Sequence, residues 1–269
     1  MSMFSPFEAA TASVVGREHT RSGRNNQDAL FLHTSGTALA AVVADGCGSG
    51  AHSEVGAQLG ARCVAQAALA VLGRGLPVGA PGFLPAVRAE VLGFLSSLTG
   101  QLGGTLLAEH LLFTVVGAVV TPEQTLVFSA GDGVWALNGE VHALGPFPNN
   151  APPYLAYGLL SPGAVPLECQ ALVRTEEVSS LLLGTDGAAD LPSLAEARVP
   201  EREEAVGPFS QYWTEDRYFQ NPDALRRRLA LLGRESVRAD FTARRLVRTA
   251  GLLADDTTLV VLRRRVGRA

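Results

Sequence analysis

An α+β fold with largely antiparallel sheets is what this sequence predicts, from three observations. Strand-like runs rich in β-branched and aromatic residues dominate, several are joined by hairpin signals, and the helical segments arrive in consecutive pairs. The strict strand–helix alternation of a parallel sheet is not the pattern here.

The elements follow in order. Residues 40–44 (AAVVA) form an apolar strand that stops at Asp45-Gly46. After a Gly/Ser-rich loop, 53–72 reads as a helix, with Val55, Leu59, Val64 and Leu69 at helical spacing and Ser53 as its cap. A Gly/Pro-rich segment, 73–82, separates it from a second helix over 83–98, where Phe83, Val87, Val91, Leu95 and Leu98 lie along one side. Strands are expected at 111–120, 125–130 and 134–137, with Phe128 and Trp135 in the core. Asn138-Gly139 is a two-residue hairpin signal. Another buried strand, 181–183, runs into Gly184-Thr185-Asp186-Gly187. The chain is polar and irregular over 191–220, and Asn221-Pro222 then opens a helix through Leu232. A last helix is expected over 241–248 and a closing strand over 257–262. With no repeat and no long linker, the 269 residues are expected to make a single domain.

Composition narrows the function. Hydrophobic residues at 47% and charged residues at 18% suit a compact globular chain, and a net charge of −4 is no footprint for nucleic acid. No apolar run is long enough to suggest a membrane span, and the N-terminus lacks a secretory pattern. Cys47, Cys63 and Cys169 form neither a disulfide framework nor a zinc spacing, so a reducing cytoplasm is the expected setting. All 22 basic residues are arginine, which excludes a Schiff-base lysine and a P-loop lysine. None of the cysteines has an arginine six residues on, so a Cys-x5-Arg nucleophile loop is excluded too. Arg226, Arg227 and Arg228 read as a solvated helix face, and Arg263, Arg264 and Arg265 as a strand end.

Aspartates carry the chemistry. Hard divalent cations such as Mg²⁺ or Mn²⁺ take carboxylate, carbonyl and water oxygens. Strand ends present carboxylates rigidly, and a following glycine lets the backbone turn. Asp45-Gly46, Asp132-Gly133 and Asp186-Gly187 each follow an apolar run, while Asp28 and Asp255 stand just ahead of one. Each alone is a common turn, but five in strand-edge settings are not.

The order of these motifs resembles the PP2C family of metal-dependent protein phosphatases, in its bacterial branch. The resemblance spans 15–262 in ordered blocks: GREHTRSGRNNQDA (16–29), VVADGCGSGAHSEVGA (42–57), GGT (103–105) with FSAGDGVWAL (128–137), LLLGTDGAADL (181–191) and ADDTTLVVL (254–262). The segment 149–157, Asn-Asn-Ala-Pro-Pro-Tyr-Leu-Ala-Tyr, adds to it. The resemblance implies a sandwich of two antiparallel sheets flanked by helix pairs. It implies two Mn²⁺ or Mg²⁺ ions held by Asp45, the Gly46 carbonyl, Asp186, Asp255 and Asp28, with Asp132 helping to hold a third. The implied reaction is hydrolysis of phosphoserine and phosphothreonine by a water that the two ions activate, with an arginine neutralising the phosphoryl oxygens. A cognate Ser/Thr kinase would supply the phosphoprotein.

The surroundings of the aspartates depart from the family pattern. The family's phosphate-binding arginine stands where this chain has Gly23; Arg24 and Arg21 flank it, and Arg24 is the preferred candidate. His19 is a further candidate for phosphate contact, or a loop histidine. His52, seven residues after Asp45, is either the general acid for the leaving alkoxide or a solvated residue at a helix start. Gln27 replaces a glutamate and so removes one carboxylate, and Cys47 is either a small loop residue or a redox-sensitive thiol. Trp213 and Tyr218 lie where the family is expected to carry a flap that selects substrates. Two other readings compete: a phosphoprotein-binding regulatory module with weakened metal chemistry, and a small-molecule phosphomonoesterase of the same fold.

Overall fold

The computed structural model describes residues 6–148 and 151–265. Two antiparallel five-stranded sheets lie face to face. The first runs β2 (Asp28–Ser35), β3 (Ala38–Asp45), β4 (Val115–Val120), β5 (Gln124–Ala130) and β8 (Glu168–Arg174). The second runs β1 (Phe7–Val14), β12 (Thr257–Arg264), β9 (Ser180–Gly184), β6 (Gly133–Leu137) and β7 (Glu140–Leu144). The α+β sandwich expected from the sequence is the architecture found.

Side-chain alternation along β3 shows how the layers form. Leu39, Ala41 and Val43 point between the sheets, where they meet Val116, Trp135, Leu183 and Val260. Ala40, Val42 and Ala44 point the other way, onto helices α2 (Ser53–Gly73) and α3 (Phe83–Leu102). Both faces of the strand are covered, which is why its sequence is continuously apolar rather than alternating. The outer face of the second sheet packs on α5 (Asp186–Ala189), α6 (Gln211–Thr214), α7 (Arg217–Gln220) and α8 (Ala224–Leu232). Phe128 and Trp135 are core, as expected.

The buried stripe of α2 differs from the one read in the sequence. Val55 is exposed, and the residues against the sheet are small ones, including Gly56, Ala57, Gly60, Ala61, Val64 and Ala68. A Cβ on Gly60 would come within 2.4 Å of the Phe113 ring, so small residues let the helix lie close. By length and composition α2 could cross a bilayer, against the expectation that no run qualifies, yet its small-residue face is buried in the core. Ser53 does not cap it; the flanking position is His52, and no side chain caps the N-terminus.

Four other expectations are corrected. The segment before β4 is a short helix, α4 (Thr105–His110), and an extended stretch, so the strand begins at Val115 rather than Leu111. Residues 241–248 are not a helix but part of a two-stranded ribbon, β10 (Ser236–Asp240) with β11 (Arg245–Thr249). Its β-branched Val237, Val247 and Thr249 favour strand, and Arg244 at φ 49 makes the turn. Helix α8 starts at Ala224, two residues later than expected, because the Asn221 side chain instead accepts the Asp223 N–H at 3.0 Å in a turn. Arg226 and Arg227 are solvated, but Arg228 is buried and donates to Glu204 at 2.7 Å and to the Val206 carbonyl at 2.9 Å. At the far end of β12, Arg263 is a strand-end residue as expected, paired to Glu8 and Asp216.

Trp213 and Tyr218 are core residues of the helical layer, 9% and 1% exposed, although Trp213 also lines a surface groove with Asp216 and Arg263. Asn149 and Asn150 of the 149–157 block lie outside the described residues; within the rest of it, Leu155 and Ala156 are buried in the core.

Candidate metal centre

The pairing of β2 with β3 places Asp28 directly opposite Asp45. Facing residues in an antiparallel pair have Cβ atoms about 4.5–5.5 Å apart, and like charges there repel. The chain turns at once after Asp45: the Gly46 N–H donates to the Gln27 carbonyl at 3.0 Å, and the Thr114 N–H donates to the Asp45 carbonyl at 2.8 Å. A Cβ on Gly46 would lie 2.6 Å from the Ser53 carbonyl oxygen and 2.9 Å from that of Gln27, so only glycine fits the turn.

The second sheet contributes its carboxylates from the same end. Asp186 opens α5 immediately after β9, Asp132 occupies the turn between β5 and β6, and Asp255 precedes β12. Thr185 ties the two sheets together here. Its hydroxyl donates to Asp28 Oδ2 at 2.6 Å and accepts the Thr258 N–H at 3.1 Å. Gly187 is held as tightly as Gly46, since a Cβ there would sit 2.0 Å from the Asp256 carbonyl oxygen. Gly187→Ala is therefore expected to destabilise the fold by about 1–3 kcal/mol through forced backbone movement. Chemical denaturation checks this, and an unchanged midpoint would contradict the close approach.

Electrostatics show what the cluster lacks. Burial, and then the charges of Asp28, Asp186, Asp255 and Asp132, push the Asp45 carboxyl well above its ordinary range. Asp28 is raised by burial first, with Asp256 and Asp186 adding to it and the Thr185 hydrogen bond opposing. Burial, Asp255 and Asp132 carry Asp186 up to about 7. Asp132 rises through burial and Asp255. The Oδ1 atoms of Asp28 and Asp132 are buried with no hydrogen-bond partner among the described residues. Hard oxygen donors, mutual repulsion and orphaned carboxylate oxygens are what a divalent-cation site presents before its cations are counted. Asp28, Asp45, Asp132, Asp186 and Asp255, with the Gly46 carbonyl, offer the hard oxygen donors that Mg²⁺ or Mn²⁺ take. The ligand atoms that lie within 4.8 Å of one another among the described residues are those of His19, Asp255 and Asp256.

The remaining candidates are distributed around this cluster. The Arg24 guanidinium donates to the Gly48 carbonyl, in the loop that follows Asp45-Gly46. Arg21 turns away to Glu235, 3.2 Å distant, and to Glu18. Both belong to the segment of α1 (Arg17–Ser22) and the turn after it. His52 is exposed; its contacts are Glu54, 3.9 Å away, and the ring of His110, with centroids 5.2 Å apart. Cys47 is buried, with Sγ 3.1 Å from the Ser49 hydroxyl.

Two residues escaped the sequence reading. Asp256 is buried and accepts the backbone N–H groups of Gly16 at 2.7 Å and Gln27 at 2.5 Å, with His19 Nδ1 2.9 Å away. It anchors α1, and with it Arg24, to the strand that follows Asp255, and it accounts for His19 better than a loop position does. Thr185 is the other. Adjacency to Asp255 and Asp186 was the available signal for both. Gln27, read as a lost carboxylate, has a structural task as well, because its side-chain amide donates to the Ser53 hydroxyl at 2.7 Å.

The family description "Protein phosphatase 2C" matches residues 15–230, most of the chain. The chain belongs to that family. A search of curated proteins found no match. Among solved structures, the PP2C chain is similar to a bacterial serine phosphatase at 14% identity and a TM-score of 0.52, covering 98% of this chain and 100% of that one. It is similar to the Staphylococcus aureus serine/threonine phosphatase Stp1 at 14% identity and TM-score 0.54, covering 99% and 98%. The catalytic domain of the serine/threonine phosphatase PstP, solved with two manganese ions, aligns at 17% identity and TM-score 0.50 over 96% and 97%. At these identities the likeness is one of fold. The family match ends before Asp255 and the β10–β11 ribbon.

Proposed function

We propose that this PP2C-family chain is a metal-dependent phosphatase that hydrolyses phosphoserine and phosphothreonine in proteins. The observation that carries the reading is the convergence of five carboxylates, from five separate segments, on one end of the sandwich, several held above their ordinary pKa by burial and by one another. Asp28, Asp45, Gly46, Asp186 and Asp255 would hold two cations, and Asp132 would help with a third. Bound divalent cations supply Lewis acidity and bring the pKa of a water down toward neutrality.

The chain's own residues supply position and charge. Thr185 fixes one oxygen of Asp28 and leaves the other free to ligate. Asp256 fixes the segment that bears Arg24. Arg24 is the residue assigned to the phosphoryl oxygens, because Arg21 is already committed to Glu235 and Glu18. A charge-assisted contact contributes about 1.5–3 kcal/mol, so Arg24→Ala should lower kcat/KM about 10- to 100-fold, while Arg21→Ala stays within a few-fold. The reverse order of effects would exchange their roles. His52 is proposed as the general acid, reaching the leaving alkoxide from an exposed position at the start of α2. Three free cysteines fit a reducing cytoplasm, and a Ser/Thr kinase is the proposed source of substrate.

The deciding assay is hydrolysis of an aryl phosphate and a phosphothreonine peptide with Mn²⁺, against EDTA and Asp45→Asn. Turnover that is absent, or indifferent to EDTA and to the substitution, refutes the enzyme. Peptide binding without turnover would favour the regulatory module, and turnover of the aryl ester alone a small-molecule esterase.

A further inference from the structure

The β10–β11 ribbon takes no part in the site just described, yet only residues 250–254 separate it from Asp255. An isolated two-stranded ribbon is marginally stable, and one face normally packs on something. Here every residue of β11 is exposed, and in β10 only Ser236 is buried. Register sorts the side chains. Val237 faces Arg248 and Ala239 faces Leu246, so these four share one side. Arg238, Asp240, Arg245 and Val247 share the other; of these Arg238, Asp240 and Val247 line a groove with Arg198, Glu201, Arg202 and Glu203, where three arginines meet three acids.

The first side and the turn carry the apolar groups, and the ribbon as a whole carries an excess of positive charge. Val237 is 50% and Leu246 66% exposed, and Phe241 at the turn is 89% exposed. From Arg234 to Thr249 there are five arginines against two acids, Glu235 and Asp240, in a chain whose net charge is −4. Glu235 is shared between Arg248, 3.7 Å away, and Arg21 of α1, 3.2 Å away. Arg238 and Arg244 have no acidic partner among the described residues. Both outer edges of the ribbon carry no neighbouring strand among the described residues.

We propose that this ribbon is a docking arm for an acidic, extended segment flanking the phosphorylated residue of a protein substrate. The proposal rests on the phosphatase reading and names a feature of its substrates. A free strand edge offers main-chain hydrogen bonds to an extended peptide, and alternate side chains of the peptide meet the ribbon's apolar and basic groups. Charge complementarity fixes the sign: a basic arm on an acidic protein attracts an acidic segment and steers it along a surface that leads, through Glu235 and Arg21, to the segment bearing Arg24.

The test uses the full chain and two fluorescein-labelled phosphothreonine peptides, one with acidic flanks and one with neutral flanks. Anisotropy in EDTA reads binding without turnover, and kcat/KM with Mn²⁺ reads its consequence. The acidic peptide should bind about tenfold tighter, the loss of a few partly exposed charge contacts. R244E/R248E should abolish that preference through KM, L246D should weaken it, and both should leave aryl phosphate hydrolysis unchanged. Equal binding of the two peptides, or a preference that survives both variants, overturns the proposal. So does tight binding of RNA or of phosphatidylserine vesicles that the acidic peptide fails to displace. If nothing is hydrolysed, the phosphatase reading falls, while anisotropy still decides the arm.

Discussion

Asp45→Asn should remove metal-dependent hydrolysis and, at the same time, make the metal-free protein more stable. Loss of a group that only orients a metal ligand commonly costs 10–100-fold, so loss of a central ligand should cost more than about 100-fold in kcat/KM. The gain in stability has a separate cause. Asp45 stands opposite Asp28 on the neighbouring strand, and burial and four other carboxylates raise its pKa. Asparagine keeps the size and removes one repelling charge. Relief of roughly 1 kcal/mol would raise Tm by about 2–4 °C in a chain of this size. Activity and thermal melts in EDTA test the two halves together. A variant that lost activity and also melted earlier would mark Asp45 as a structural residue, and one that kept its activity would remove it from the centre.

The second expectation concerns pH and cations. In EDTA, stability should fall as pH rises from about 5 to 7. Asp186 goes from an ordinary 3.8 to about 7 on folding, and Asp28 and Asp45 shift the same way. Across that window the folded state binds more protons than the unfolded chain, so the slope of unfolding free energy with pH is negative. The contribution is fully present below the unfolded value and lost as pH passes the folded one. Divalent cations should reverse the trend by neutralising the ionised cluster. At a hundredfold excess over Kd, binding to the native state alone adds about 2.7 kcal/mol. That corresponds to roughly 5–11 °C in Tm at pH 7.5. Melts in EDTA and in MnCl2 from pH 5 to 8 check both signs. A Tm that climbs with pH in EDTA, or ignores Mn²⁺, would contradict a cation-seeking cluster.

Local chemistry made the aspartates readable. A carboxylate at a strand end followed by glycine is a short-range pattern, although the atoms that exclude a Cβ at Gly46 and Gly187 belong to Gln27, Ser53 and Asp256, which only the fold brings near. The apolar runs of β3, β4 and β9 were equally legible, because strands covered on both faces are continuously hydrophobic. The 241–248 error has the opposite origin. Its apolar residues are exposed, so their spacing carries no record of a buried face, and helical and strand periods could not be told apart. The burial of Trp213 and Tyr218 was not legible for a related reason. An irregular, polar-looking stretch still buries its aromatics when it packs on a sheet.

The sequence by itself determined the α+β class, the strands that carry the carboxylates and the kind of cation they suit, since each depends on neighbours along the chain. Only the tertiary structure decided that Asp28 faces Asp45, that Thr185 ties Asp28 to the second sheet, and that Asp256 clasps the segment bearing Arg24. It alone gave Arg21 a partner in Glu235, 214 residues away, and Arg24 one in the Gly48 carbonyl. Those relations join residues far apart in the chain, and they are set by sheet register and packing, which no local pattern encodes.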